Sequence, residues 1–384
     1  MRLTDPFWYG GTIGSLIGRD QDVAAAVDAL TNSGRLLLAG SRHFGKSSVL
    51  SAACDEVAAR GVAVLRYDAE AHESIEALAR EMASGATRTF AASLDHAGDI
   101  ARRFFAPLRA SASYDFTSQH LTIEFELSTA QRQRPVVLLT AVLNGIEQLA
   151  ATHGRPTAVV LDEFHEIVTD GGEHAAQEIR STIGSHRYTG YVFASSRVRL
   201  LLAPPLAQLG ALRTLGPIPR HDFRSFIRRG LSSAGAPVDD AAIERILDAA
   251  EDVPLNVQWL ASGCWEDIRL GNTQSLNAAA VDATLDRIIG EYYPHYMQIW
   301  ATLTSAQRRT LKAIANEPSG DFRLTEVAAA CGLAPSTMQR TLAALEERSL
   351  IRYAAPDSGA ERGSQWRLGD PFFARWRARA QASN

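Results

Sequence analysis

The sequence predicts an α/β chain: a parallel sheet covered on both faces, then an all-helical segment, then a small C-terminal helix-turn-helix unit with a hairpin. Three observations carry this. Short apolar runs, Arg35 to Ala39 (RLLLA), Val62 to Tyr67 (VAVLRY), Ala158 to Leu161 (AVVL) and Gly190 to Ala194 (GYVFA), lack two-residue alternation and are separated by helical text. Strands of that kind are buried on both faces of a parallel sheet. Gly40 to Ser47 (GSRHFGKS) matches G-x-x-x-x-G-K-[ST] and stands between a strand and a helix. Near the C-terminus, Leu324 to Ile351 reads as helix, Gly-Leu turn and Pro-led helix.

Each element has a local reason. Asp22 to Leu30 has helical periodicity, and Asn32-Ser33-Gly34 stops it. A strand (35–39), the Gly-rich loop and a helix from about Lys46 to Arg60 follow. After the second strand, Glu73 to about Arg109 is helical, with Ile75, Leu78, Ala79 and Met82 on one face. Tyr114 to Leu127 alternates through Leu121, Ile123, Phe125 and Leu127, which predicts a hairpin insertion. Val136 to Thr152 and Glu173 to Ile183 are helices around the third strand, and the fourth strand closes the pattern. From Ile218 to Asp286 the text is helical, clearest at Asp222 to Arg229, Asp239 to Ala250 and Pro254 to Ile268. The expected domains are 1–217, with the hairpin insertion near 110–130, then a helical domain over 218–300, then 301–384.

Composition bounds the function. The chain has 384 residues and a formal net charge of −4, so a uniformly basic nucleic-acid coat is excluded. Its three cysteines form no CxxC pair, which argues against a disulfide framework or a cysteine-rich zinc site. No basic-then-apolar leader opens the sequence, and apolar runs such as Val136 to Leu139 are too short to span a bilayer. A cytoplasmic protein with no membrane partner is expected. Arg outnumbers Lys 37 to 2, and one of the two lysines, Lys46, falls inside the Gly-rich motif.

That motif has specific chemistry. Gly40, Ser41, Arg42, His43, Phe44 and Gly45 form a loop whose backbone N–H groups point at phosphate oxygens. The helix that opens at Lys46 adds its positive dipole end. Lys46 is expected to reach the β- and γ-phosphates, Ser47 to ligate Mg²⁺ and Ser48 to touch the α-phosphate. His43 is expected to project to solvent. Asp162 and Glu163 end an apolar strand, where parallel sheets bind ligands. Asp162 would hold Mg²⁺ through water, and Glu163 would polarise the attacking water. Ser195 and Ser196 end the next strand, where a hydroxyl can orient that water or sense the γ-phosphate, and Arg197 follows as a phosphate sensor or a surface arginine. His165-Glu166 is no zinc-protease motif, because Thr169 stands where a second His belongs.

With these residues in place the chain resembles the archaeal-type ATPase family, a branch of the STAND and AAA+ group of P-loop NTPases. Asp5-Pro6-Phe7-Trp8-Tyr9-Gly10 with Gly18-Arg19-Asp20 resembles the family's opening, with Asp20 where Glu is usual. The P-loop, Leu161-Asp162-Glu163-Phe164, Val253-Pro254-Leu255-Asn256-Val257-Gln258 and Arg367 to Phe373 with Trp376 complete the likeness. Val253 replaces a usual Gly before the lid proline. The resemblance implies a central P-loop strand, the Asp-Glu strand two places away and the serine strand between them. It implies that Gly18 and Arg19 lie by the adenine and that the Pro254 helix closes over the nucleotide. It assigns no arginine finger; Arg180 and Arg187 are the candidates.

The C-terminal unit reads as a winged helix, with Ile351 to Leu368 as the wing. Ser336 is a plausible helix cap, and Leu342 and Leu345 face the core. Ser336, Thr337, Gln339 and Arg340 on the second helix, and Arg362 in the wing loop, are the candidate DNA contacts. Residues 300–384 hold 12 basic and 8 acidic side chains, a cationic module on an acidic body. The aromatics of Phe372-Phe373-Ala374-Arg375-Trp376-Arg377 are expected to dock a terminal helix. The expected function is an ATP-binding and ATP-hydrolysing switch, with ATP, ADP and Mg²⁺ as ligands. Duplex DNA, a protein partner and a second copy of the chain are the candidate partners. The alternative is a slow, nucleotide-held regulator acting through a protein partner.

Overall fold

The computed structural model describes residues 5–7, 16–106, 108–115, 120–126, 134–172, 174–202, 204, 206–316, 324–354 and 365–382. They pack as two bodies. A sheet body comprises Gln21–Gly40 and Lys46–Thr214, and a helical body comprises Met1–Asp20, Ser41–Gly45 and Leu215–Asn384.

In the sheet body, α1 (Asp20–Thr31) leads into β1 (Arg35–Ala39). Then come α2 (Lys46–Ala59), β2 (Ala63–Asp68), α3 (Ile75–Phe90), α4 (Leu94–Phe104) and a hairpin of β3 (Arg109–Asp115) and β4 (His120–Glu126). After it run α5 (Pro135–His153), β5 (Thr157–Asp162), α6 (His165–Gly171), α7 (Ala175–Ile183), β6 (Thr189–Ser195), α8 (Val198–Leu202) and β7 (Ala211–Thr214). The main sheet has the order β2-β5-β6-β1-β7, all parallel. The Asp-Glu strand β5 is therefore two places from the P-loop strand β1, with the serine strand β6 between them. The middle position belongs to β6, not to β1. All residues of β5 and β6 are buried, as strands with both faces covered must be.

Several elements depart from the sequence expectation. The long helix after β2 is two helices, because Ser93 caps α4 by accepting the His96 N–H, and Ala91 ends α3 in extended backbone. The hairpin starts at Arg109 rather than Tyr114, with Tyr114 opposite Leu121. A fifth strand, β7 (ALRT), adds an edge beside β1. The helix α5 is 19 residues long and, by length and composition alone, apolar enough to cross a bilayer. Half of that stretch is buried in the fold, where Leu139, Leu143, Ile146 and Leu149 are fully covered.

In the helical body, α9 (Arg220–Ser232), α10 (Asp240–Ala249), α11 (Pro254–Arg269) and α12 (Ala278–Glu291) precede α13 (Tyr293–Ala301) and α14 (Ser305–Ala315). The C-terminal unit adds α15 (Leu324–Ala330), α16 (Pro335–Glu347), the antiparallel pair β8 (Ile351–Ala354) and β9 (Gln365–Leu368), and α17 (Pro371–Ala382). One core runs through them, from Phe7, Phe223 and Ile246 to Leu285, Tyr296 and Trp376. Phe372, Phe373 and Trp376 are buried, so the terminal helix docks by its aromatics as expected. The Asp-Pro-Phe closing motif has a physical reason. Asp370 Oδ1 accepts the Phe372 N–H at 2.9 Å and the Asn256 side-chain amide at 2.8 Å, while Oδ2 accepts the Tyr296 hydroxyl at 2.9 Å.

Candidate nucleotide site

Lys46, at the start of α2, is buried, and its Nζ lies 3.4 Å from Glu163 Oε1. Ser47 Oγ donates to Asp162 Oδ2 at 3.3 Å. Arg66 on β2 donates to the Ser47 carbonyl at 3.4 Å, and its Nη2 lies 3.9 Å from Asp162 Oδ2. A hydroxyl and a carboxylate side by side are hard oxygen donors. They fit Mg²⁺, which uses one or two carboxylates plus substrate phosphates rather than an all-protein cage.

The turn after β5 is built by its own side chains. Asp162 Oδ1 accepts the Glu163 N–H at 3.0 Å, and Glu163 takes the left-handed conformation, φ +46°. The Phe164 N–H then donates to the Ala194 carbonyl on β6 at 2.8 Å, which pins the turn. Ser195 is buried, and Ser196 donates its backbone N–H to Glu163 Oε2 at 2.8 Å. The Gly40 N–H reaches the Ser195 carbonyl at 3.1 Å. The ends of β1, β5 and β6 are thereby tied to one another.

Burial and charge set the two carboxylates apart. Burial raises the Asp162 pKa, an effect that Lys46 opposes and Glu163 reinforces. Burial also opposes ionisation of Glu163, but the His165 hydrogen bond, the Lys46 charge and the Ser196 amide outweigh it and hold Glu163 well below the usual carboxylate range. His165 received no role from the sequence beyond the rejection of a zinc motif. It is 2% exposed and sits against Glu163, Glu166 and Ser195. The only sequence signal for it was its place, two residues past a strand-ending acid.

Gly18, Arg19 and Pro254 belong to the helical body. Residues 41–45 pack within it. Gly45 has φ +86°, a conformation that L side chains rarely adopt. Phe44 is buried, while Arg42 and His43 are exposed, His43 at φ +74°. Arg19 is buried, and its Nη2 donates to the Phe44 carbonyl at 3.0 Å and to the Gly216 carbonyl at 2.6 Å. Gly18 has φ +61°, and a methyl group there would press on Ile218 at 2.9 Å. Arg352 of β8 places its guanidinium 5.5 Å from the Phe44 ring centroid. It also donates to the Leu368 carbonyl at 3.2 Å and pairs with Glu251 at 3.0 Å. Pro254 is the first residue of α11.

On the second helix of the C-terminal unit, Ser336, Gln339 and Arg340 are exposed and Thr337 is half-buried. The helix cap is Ala334 with Pro335 following, so Ser336 does not cap it; Pro335 already supplies the preset φ. Leu342 and Leu345 are buried, as expected. Arg362 lies outside the described residues, as do Trp8, Tyr9 and Gly10. Of the finger candidates, Arg180 donates to the Gln208 side chain, and Arg187 meets Glu147 through its backbone N–H.

Comparisons agree with this frame. The family model described as Novel STAND NTPase 1 matches residues 14–317, and one described as the IclR helix-turn-helix domain matches residues 309–355. Among solved structures, a Walker-type ATPase of Pyrococcus abyssi is similar over 94% of this chain and 95% of its own, at 17% identity and a TM-score of 0.59. The Aeropyrum pernix ORC1 protein, solved in complex with DNA, is similar over 96% and 94%, at 11% identity and a TM-score of 0.50. At those identities the likeness is one of fold. No curated protein matches the chain.

Proposed function

The chain belongs to the Novel STAND NTPase 1 family, and on that premise we propose that it is an ATP-hydrolysing switch whose nucleotide state repositions its C-terminal winged helix on duplex DNA. The carrying observation is the cluster of Lys46, Ser47, Asp162 and Glu163, with the lysine 3.4 Å from one carboxylate and the serine 3.3 Å from the other. In this reading the amides of Gly40 to Gly45, with Lys46 and Ser48, bind the phosphates. Gly18, Arg19 and Pro254 are assigned to the nucleotide as well. Ser47 and Asp162 would hold Mg²⁺, which supplies charge neutralisation at the phosphate oxygens. Glu163 accepts a hydrogen bond from the attacking water, and Ser195 and Ser196 orient the group that holds it. Positioning and electrostatics then account for the rate.

The IclR-type match and the exposed Ser336, Gln339 and Arg340 support DNA as the partner of the winged helix. Arg362 belongs to the same proposal. A second reading has an observation behind it: Arg340 is the one basic residue on the 335–347 helix, a small set of phosphate contacts. In that reading the protein hydrolyses slowly and presents a surface to a protein partner. ATP turnover by the protein and by Glu163→Gln, each with and without duplex DNA, separates the two. Turnover that DNA raises and Glu163→Gln abolishes is expected. Tight ATP binding without turnover, indifferent to DNA, overturns the first reading in favour of the second.

A further inference from the structure

We propose that His165 is a positioning residue for Glu163, acting through a chain of charged contacts that continues to the half-buried Glu166 and Arg197. This rests on the hydrolytic reading above. The ring of His165 is fully enclosed at the mouth of β5 and β6. Its Nδ1 lies 3.3 Å from Glu163 Oε2 and 3.0 Å from Ser195 Oγ. Its Nε2 lies 2.8 Å from Glu166 Oε1, and that oxygen lies 3.4 Å from Arg197 Nη2. Arg197 in turn donates its backbone N–H to Ser195 Oγ at 3.0 Å. Each ring nitrogen lies against a carboxylate oxygen, and Nδ1 also meets the Ser195 hydroxyl.

The consequence lies in how the two oxygens of Glu163 are divided. Oε2 is held from behind by the Ser196 N–H and His165. Oε1 faces Lys46. A carboxylate can polarise water only while its plane is fixed, and the terminal torsion of a glutamate is broad. The Ser196 N–H on Oε2, with the His165 ring packed against the same oxygen, fixes that plane and leaves Oε1 as the working oxygen. Glu166 fixes His165 in the same manner, so the chain of contacts carries the order of the Ser195–Arg197 loop to the carboxylate.

Two near-isosteres separate the two sides of the ring. Asn places an amide N–H near Nδ1 and keeps the bond to Glu163. Gln places one near Nε2 and keeps only the bond to Glu166. His165→Gln and His165→Leu are expected to lower kcat by about ten- to a hundred-fold with KM and the affinity for a fluorescent ATP analogue unchanged. His165→Asn is expected to keep most of the turnover. Thermal melts establish which variants fold, and Asn against Gln decides the matter where Leu does not. Turnover that requires Glu163 while Gln and Leu match the parent overturns this inference alone. So does a loss shared equally between Asn and Gln, or one carried by KM. A parent that does not hydrolyse ATP, or hydrolyses it as well with Glu163→Gln, overturns the hydrolytic reading and this inference with it.

Discussion

The Nζ of Lys46 and Oε1 of Glu163 are 3.4 Å apart, both side chains nearly covered. The lysine assigned to the phosphates is thus paired with the carboxylate assigned to the water.

Glu163→Gln removes that ion-pair partner from Lys46, and ATP is expected to bind about five-fold more tightly, close to 1 kcal/mol. Lys46→Ala is expected to weaken binding by about ten- to a hundred-fold, because a charge-assisted contact is lost. Titration calorimetry with a non-hydrolysable ATP analogue measures both.

The pH dependence of stability has opposite signs at the two acids. Glu163 is held below its unfolded value, so it contributes stability above about pH 4.3 that is lost as pH falls through its folded pKa. The melting-temperature gap between the parent and Glu163→Gln is expected to narrow in acid. Asp162 is raised by burial, so its ionised form costs stability at neutral pH. Asp162→Asn is expected to raise the melting temperature of the nucleotide-free protein there, and that gain fades as pH falls through the folded pKa. Both follow from melts across a pH series.

Gly145 sits inside α5 where a methyl group would lie 2.8 Å from the Phe105 ring and overlap the Phe104 carbonyl. Helix propensity alone favours alanine by about 1 kcal/mol. Gly145→Ala is nevertheless expected to destabilise by about 1–3 kcal/mol through overpacking, read by urea unfolding.

Arg352 joins Phe44 to Glu251 within the helical body. Arg352→Ala is expected to cost about 2 kcal/mol, part cation–π contact and part ion pair. Phe44→Ala and Arg352→Ala together should cost less than their sum, since each removes the same contact.

On the winged helix, Arg340→Ala is expected to weaken duplex binding and reduce the slope of log affinity against log salt by about one. Anisotropy titrations at several salt concentrations give both. An unchanged slope removes Arg340 from the phosphate contacts.

The parallel sheet and the P-loop were legible because buried strands and a fixed glycine spacing leave strong local signals. The edge strand β7 was not, since its residues, Ala211 to Thr214, are largely exposed and lack an apolar run. The break between α3 and α4 was carried by a single cap, Ser93, inside text that stays helical on either side. Glu163 was read from its place at a strand end, but its support was hidden. His165 acquires meaning only when β5 and β6 lie side by side and bring Ser195 against it. Arg352 was invisible for the same reason, as nothing local connects it to Phe44.

In G-x-x-x-x-G-K-[ST] the four variable positions are ordinarily free to drift, because the loop works through its backbone. At Phe44 that freedom is gone. A change there is answered in a strand near the other end of the chain, so among relatives the columns of Phe44 and Arg352 are expected to change together.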